Sequence, residues 1–187
     1  MWRRNNAPIN ESEYCPESIK TLWFTHLHSD HTLGYGQFLL GGWGQGRSKL
    51  TIYGPKGTKA FHEKIIDLYR EDIEYRCSLG RSGAGILDVN IIEITEDGEV
   101  VNQHEMKVKA MAMEHNVPTY GYRFETTEGT VVISGDTAPH KGIMELAKDA
   151  DVLVIDAALS KGKRSLALEK SGINFRKNTA HLQKQQK

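Results

Sequence analysis

The sequence predicts an α/β domain, because short β-prone runs alternate with segments of helical periodicity along the chain. Its 187 residues are enough for one domain with a hydrophobic core. Hydrophobic residues make up 39% and charged residues 26%, a composition typical of globular domains. We therefore expect one domain over 1–187, with a polar, basic tail from about residue 160.

The first half of the chain predicts two strands and one long helix. Apolar residues recur near i, i+4 and i+7 between Thr58 and Cys77, which is typical of an amphipathic helix. Four glycines around Trp43 predict a loop there. The predicted strands are Lys20–Phe24 and Leu50–Tyr53, the second ended by Gly54 and Pro55.

The second half predicts further strands and one short helix. Met106, Val108 and Ala110 alternate with lysines, the pattern of a half-buried strand. Glu128-Gly129 predicts a hairpin turn. The predicted strands are 86–94, 99–101, 106–113, 120–126, 130–134 and 151–156, and the predicted helix is 141–148.

Charge and hydropathy mark neither a nucleic-acid nor a membrane protein. Acidic and basic residues balance to a formal net charge of zero, and no apolar run approaches the length of a membrane span. Met-Trp-Arg-Arg at the start has no apolar segment behind it, so it does not resemble a signal peptide. We expect a cytoplasmic location without a membrane partner.

Four metal-ligand side chains lie within six residues: His26, His28, Asp30 and His31. On a helix they could not all converge, whereas a tight loop leaving a strand lets all four turn toward one point. Imidazole and carboxylate groups suit Zn²⁺, and Mn²⁺ or Fe as well. The cluster therefore predicts a metal site.

Further ligands must come from elsewhere in the chain, and His115 and Asp136 are the two candidates. His115 follows the alternating strand, and Asp136 follows another strand. Gly135 permits a sharp backbone turn that would lift the Asp136 carboxylate off the sheet edge.

These residues resemble the metallo-β-lactamase fold superfamily, for which H-x-H-x-D-H is the hallmark. The resemblance covers roughly residues 20–160 and is strongest to the arylsulfatase-like and ribonuclease Z-like branch. Trp43–Arg47 and Tyr69–Ile73 favour the arylsulfatase-like members. The stretches that carry the branch resemblance are THLHSDHTLGY (25–35), YGPKGT (53–58), HNVPTYGYRF (115–124) and SGDTAP (134–139).

The resemblance implies an αββα sandwich with a two-zinc site and a water nucleophile. It assigns Asp30 the catalytic task of orienting or deprotonating that water. The implied ligands are His26, His28 and His115 for one zinc, Asp30 and His31 for the other, and Asp136 between both.

The chain departs from the family pattern at three points. The second zinc lacks its late histidine, for which His181 is the remaining and poor candidate, and the His-Glu pair is replaced by Ile155-Asp156. The family's opening strands also have no counterpart before His26. We expect an incomplete sandwich, truncated at both ends, with open strand edges that a second copy could cover as a homodimer.

Three functions follow as expectations. The first is zinc-dependent hydrolysis of a small-molecule sulfate ester or phosphodiester. The second, ranked lower because 61–85 carries no dense basic patch and the net charge is zero, is ribonuclease Z-like tRNA 3′-processing. The third is a metal-binding fragment with impaired catalysis.

Overall fold

The structure is a computed structural model that describes residues 15–156, which form two compact units divided between Ile94 and Thr95. The predicted tail from residue 160 and His181 lie outside the described residues. The prediction of a single domain stays a prediction.

The first unit begins with a 3-10 helix at Pro16–Ser18 and continues with β1 (Thr21–Trp23), α1 (Ser29–Thr32), α2 (Tyr35–Gly44), β2 (Thr51–Pro55), α3 (Thr58–Leu68), α4 (Arg70–Ser78) and β3 (Asn90–Ile94).

A parallel three-stranded sheet in the order β1-β2-β3 organises the first unit. Connections between parallel strands need a crossover, and helices supply both crossovers here. The helices bury their apolar sides in one core with the sheet. Its members are Phe24, Tyr35, Leu39, Trp43, Leu50, Ile52, Ile73 and Ile86.

The glycine-rich segment around Trp43 is helical, so the predicted loop is wrong. Gly41, Gly42 and Gly44 all lie in α2. Glycine disfavours a helix by about 1 kcal/mol per residue, but tertiary packing outweighs this cost. Trp43 is 3% exposed in the core, and its indole N–H donates to the Ser82 carbonyl oxygen at 2.8 Å.

The predicted helix over 58–77 is two helices that meet at Tyr69. Tyr69 has φ −107° and ψ 14°, outside the helical region, and its N–H is shared between the carbonyls of Ile65 and Ile66. Its ring lies against Gly36, where a Cβ atom would come within 3.2 Å. The break between α3 and α4 thus coincides with the packing of Tyr69 against α2, and the helical periodicity of the sequence does not reveal it.

Two strand boundaries also differ from the sequence expectation. β2 continues through Gly54 to Pro55, which is paired with Ile94 at the strand end. Ile86 is buried but lies in a turn, because Gly85 takes φ 80° and the Ile86 N–H donates to the Gly83 carbonyl. The predicted strand start at residue 86 is therefore wrong, and β3 begins at Asn90.

The second unit is a five-stranded sheet in the order β4-β5-β6-β7-β8. Its strands pair antiparallel except β7 and β8, which run parallel. The predicted hairpin turn at Glu128-Gly129 is confirmed. The elements are β4 (Gly98–Gln103), β5 (Met106–Ala112), β6 (Tyr120–Thr126), β7 (Gly129–Ile133), α5 (Lys141–Leu146) and β8 (Val152–Val154).

One helix, α5, covers part of this sheet. Its Ile143 and Leu146 form a core with Met113 and Val132. Arg123 of β6 fixes the end of the helix, because its Nη1 donates to the Leu146 carbonyl at 2.9 Å. Two sheets with helices confirm the predicted α/β class.

A search of the described residues for a helix long and apolar enough to cross a membrane finds none.

Candidate metal centre

The four clustered candidate ligands of the first unit lie shortly after β1. His26 and His28 occupy the loop that leaves the strand, as predicted, and His28 has an extended backbone. Asp30 and His31 instead belong to α1, so the prediction of one loop for all four is wrong for this pair. Thr32 stabilises the junction, since its buried hydroxyl donates to the His28 carbonyl oxygen at 2.9 Å.

Three imidazole rings come together at this junction. The His26 ring centroid lies 4.7 Å from that of His28 and 4.1 Å from that of His31. His26 is fully buried, and its Nδ1 lies 3.1 Å from the Thr25 hydroxyl. The loop and the helical turn thus aim rings from two different elements at one point.

The carboxylate of this half of the site is the accessible part. Asp30 Oδ2 lies 3.5 Å from His31 Nε2, and the two side chains are 74% and 32% exposed. His26 at 0% exposure therefore forms the floor, and Asp30 faces solvent. A carboxylate in that position can reach a water molecule or an incoming substrate.

The second unit brings His115 and Asp136 together, as the sequence predicted for these two strand ends. His115 Nε2 lies 3.9 Å from Asp136 Oδ2. A second contact joins the loops that carry them, because the Ala138 N–H donates to the Glu114 carbonyl oxygen at 2.9 Å. The pair is held by backbone as well as by side chains.

The turn before Asp136 uses glycine as the sequence predicted. Gly135 has φ 63°, the left-handed region that glycine occupies without a steric penalty. Ser134 beside it is buried, and its hydroxyl donates to the Gly135 carbonyl and accepts from the Asp156 N–H. The Asp156 side chain itself is exposed.

The donor atoms within each unit fit metal coordination. Two ligands held about 2.1 Å from one zinc ion can lie no more than about 4.2 Å apart. The His115–Asp136 pair satisfies this limit at 3.9 Å. Donors of His26 and His28 lie within 4.8 Å of each other, so small side-chain rotations bring them into range.

The first unit also contains a buried hydrogen-bonded pair, Tyr35 and His62, that the sequence did not reveal. The hydroxyl of Tyr35 and Nδ1 of His62 are hydrogen-bonded at 2.5 Å. Burial raises the pKa of the Tyr35 phenol well above its ordinary value and lowers the pKa of His62, the latter opposed by the Glu63 charge. Both groups are therefore neutral at pH 7.

Arg47 is a buried residue whose burial the sequence did not predict. It is 1% exposed, and its Nη2 donates to the carbonyls of Phe38 and Leu39 in α2. Its guanidinium also lies 4.4 Å from the centre of the Phe38 ring. Desolvation lowers the pKa of Arg47. A single arginine in a glycine-rich segment gives no sequence signal for burial.

Comparisons with known proteins identify the fold and the family. Residues 3–183 match the model of the Beta-lactamase superfamily domain. A ribonuclease Z of Mycolicibacterium gilvum is 34% identical over 142 residues, and one of Limosilactobacillus fermentum is 27% identical over 203 residues. The matches cover 73% and 81% of this chain but 49% and 62% of those relatives. The chain thus spans about half to three-fifths of their length.

Solved structures agree on the fold. Human tRNase Z, short form, superposes with a TM-score of 0.66 at 20% identity, covering 88% of this chain and 67% of that one. A long form RNase Z from yeast gives a TM-score of 0.61 at 17% identity, covering 83% of this chain and 25% of that one. With the H-x-H-x-D-H cluster after β1, the 115–136 pair and a family match over nearly the whole sequence, this chain belongs to the β-lactamase superfamily domain family.

Proposed function

We propose that this chain is the metal-dependent catalytic part of an RNA phosphodiester hydrolase of the ribonuclease Z type. The observation that carries the proposal is the similarity to two proteins named ribonuclease Z along about three-quarters of the chain. This choice reverses the order in which the sequence ranked the two hydrolase hypotheses, and it makes RNA the expected partner.

The proposed ligand sets are those implied by the resemblance. His26, His28 and His115 would hold one divalent cation, Asp30 and His31 would hold a second, and Asp136 would serve as the remaining ligand. The coordination distances available within each unit and the imidazole–carboxylate donor set support this assignment. Bound cations would supply Lewis acidity at the scissile phosphate and a nucleophile at neutral pH.

The chain's own residues divide the remaining tasks. Asp30 accepts the proton of the attacking water, because its carboxylate is the most exposed of the candidate ligands and can pass a proton to solvent. His26 anchors the site from its buried position. Tyr35 and His62 support the base of α2, which follows α1 after a two-residue connection.

Substrate choice is tested by offering three substrates to the zinc-loaded full chain. We expect cleavage of a precursor tRNA at its 3′ end and of bis-nitrophenyl phosphate, and no turnover of nitrophenyl sulfate. Turnover of the sulfate without RNA cleavage would overturn the RNA assignment in favour of an arylsulfatase-like activity.

The site itself is tested by Asp30→Asn, with Asp67→Asn as the matched control on an exposed face of α3. Loss of a general base costs about 10²–10⁴-fold in rate, so we expect that loss for Asp30→Asn and none for the control. Elemental analysis reports the zinc content of each protein. Full activity of Asp30→Asn contradicts the catalytic role, and a wild-type chain without zinc favours the impaired fragment.

A further inference from the structure

One histidine of the second unit, His140, follows Asp136 closely in sequence and has no part in the proposed ligand sets. His140 precedes α5 and lies four residues after Asp136. Its Nδ1 accepts a hydrogen bond from the Gly142 N–H at 3.1 Å, which caps the helix. Its Nε2 lies 3.4 Å from the sulfur of Met113.

The cap determines which ring nitrogen carries the proton. A backbone N–H can only donate, so Nδ1 of the neutral ring is the acceptor and the proton is on Nε2. That N–H points at the Met113 thioether, a weak acceptor. The ring is also closely seated, because a Cβ atom at Gly142 would lie 2.6 Å from its Cε1. His140 therefore makes two directed contacts in one orientation.

Met113 is the first residue of the loop that carries His115. Its side chain is 8% exposed in the core of the second unit, and its N–H donates to the Thr119 carbonyl at 2.8 Å, which closes the loop. The contact with His140 thus joins the end of β5 to the segment between β7 and α5. The Ala138–Glu114 bond joins the same two loops.

We propose that His140 is a positioning residue that, through the sulfur of Met113, holds the loop of Asp136 against the loop of His115. The inference rests on the proposed function for its consequence, namely that two donors 3.9 Å apart are kept at a spacing suited to a metal ion. Residues that orient metal ligands affect metal affinity without binding the ion.

Two substitutions separate this task from the helix cap. His140→Asn keeps a side-chain carbonyl for the Gly142 N–H, because asparagine is among the best capping residues, but the shorter side chain cannot reach Met113. Met113→Leu keeps the core volume and removes the sulfur acceptor. His104→Asn, at an exposed turn, is the matched control.

The first readout is amide hydrogen exchange in the zinc-free full chain. We expect the Ala138 amide to exchange roughly two- to tenfold faster in each single variant, the factor that one hydrogen bond of ordinary strength is worth. The double variant should exchange no faster than either single one. The Ala147 amide, bonded within α5 to Ile143, should be unchanged.

The second readout is zinc affinity by chelator competition, which we expect to fall by about tenfold in both variants and not further in the double variant. Unchanged exchange at Ala138, additive effects, or equally faster exchange at Ala147 would each overturn the positioning role. A wild-type chain that binds no zinc would refute the proposed function, while exchange at Ala138 would still decide whether His140 holds the loops.

Discussion

Replacing Gly42 by alanine should destabilise the protein, although alanine is the better helix former. Gly42 is buried in α2, and a Cβ atom there would lie 2.3 Å from Nη1 and 2.5 Å from Cζ of Arg47. Non-bonded heavy atoms cannot approach that closely, so the guanidinium would have to leave its place. Gly44, in the same helix, has no atom within 4 Å of the corresponding position and serves as the control.

The expected magnitude follows from the bonds that Arg47 would lose. Its two hydrogen bonds to the carbonyls of Phe38 and Leu39 are worth about 1.5–3 kcal/mol each, because one partner is charged. Helix propensity returns about 1 kcal/mol on replacing glycine by alanine. Gly42→Ala should therefore lower the free energy of unfolding by about 2–5 kcal/mol. Gly44→Ala should raise it by up to about 1 kcal/mol.

Equilibrium urea unfolding of the two variants and of wild type measures both effects. Arg47→Met serves as a background in which the obstructing guanidinium is absent, and there the penalty of Gly42→Ala should shrink. If Gly42→Ala is at least as stable as wild type, or if its penalty is the same in both backgrounds, the reasoning from the Arg47 contact is refuted.

The buried tyrosine–histidine pair gives two further predictions. Tyr35→Phe should cost about 1–3 kcal/mol of folding free energy, because Nδ1 of His62 is left buried without its hydrogen-bond partner. Thermal unfolding measures the change, and an unaltered stability would contradict this prediction. Burial depresses the pKa of His62 below its ordinary 6.5, so the unfolded state binds the proton more readily than the folded state. The contribution of His62 to the free energy of unfolding is therefore complete above pH 6.5 and declines as the pH falls below that value. His62→Asn should remove this pH-dependent contribution, so the difference in free energy of unfolding between wild type and the variant should narrow in acid. A difference that stays constant from pH 8 to pH 5 would contradict the prediction.

The strands were the predictable part of the fold, because their signal is local. Tyr120–Thr126 was predicted with its correct bounds, and Val108 and Ala110 are buried between exposed lysines as the alternation required. The errors arose where a distant contact decides the local structure. The glycines near Trp43 lie in a helix although glycine disfavours one, and Trp43 in that helix is hydrogen-bonded to Ser82, 39 positions away in the sequence.

In the candidate site, too, the local cluster was predictable from the sequence and the contacts between remote residues were not. His26, His28, Asp30 and His31 were identifiable as candidate metal ligands from spacing alone, whereas His115 and Asp136 became candidates only beside that cluster. Their mutual distance of 3.9 Å accompanies the Ala138–Glu114 bond, which joins residues 24 positions apart in sequence and which spacing could not reveal. His140 follows Asp136 by four positions, but that spacing could not predict its contact with the sulfur of Met113.

Substrate class was the least predictable property, and the structure gives the reason. Three residues of the segments that favoured an arylsulfatase-like member are packed in the interior: Trp43, Arg47 and Ile73 are each no more than 3% exposed. Buried side chains cannot contact a substrate, so these residues report the construction of the first unit and carry no information on sulfate or phosphate. The ligand cluster is equally neutral, because Lewis acidity and an activated water serve both kinds of ester. Discrimination must therefore depend on exposed groups around the site, and only whole-sequence similarity, which here extends to proteins named ribonuclease Z, bears on them.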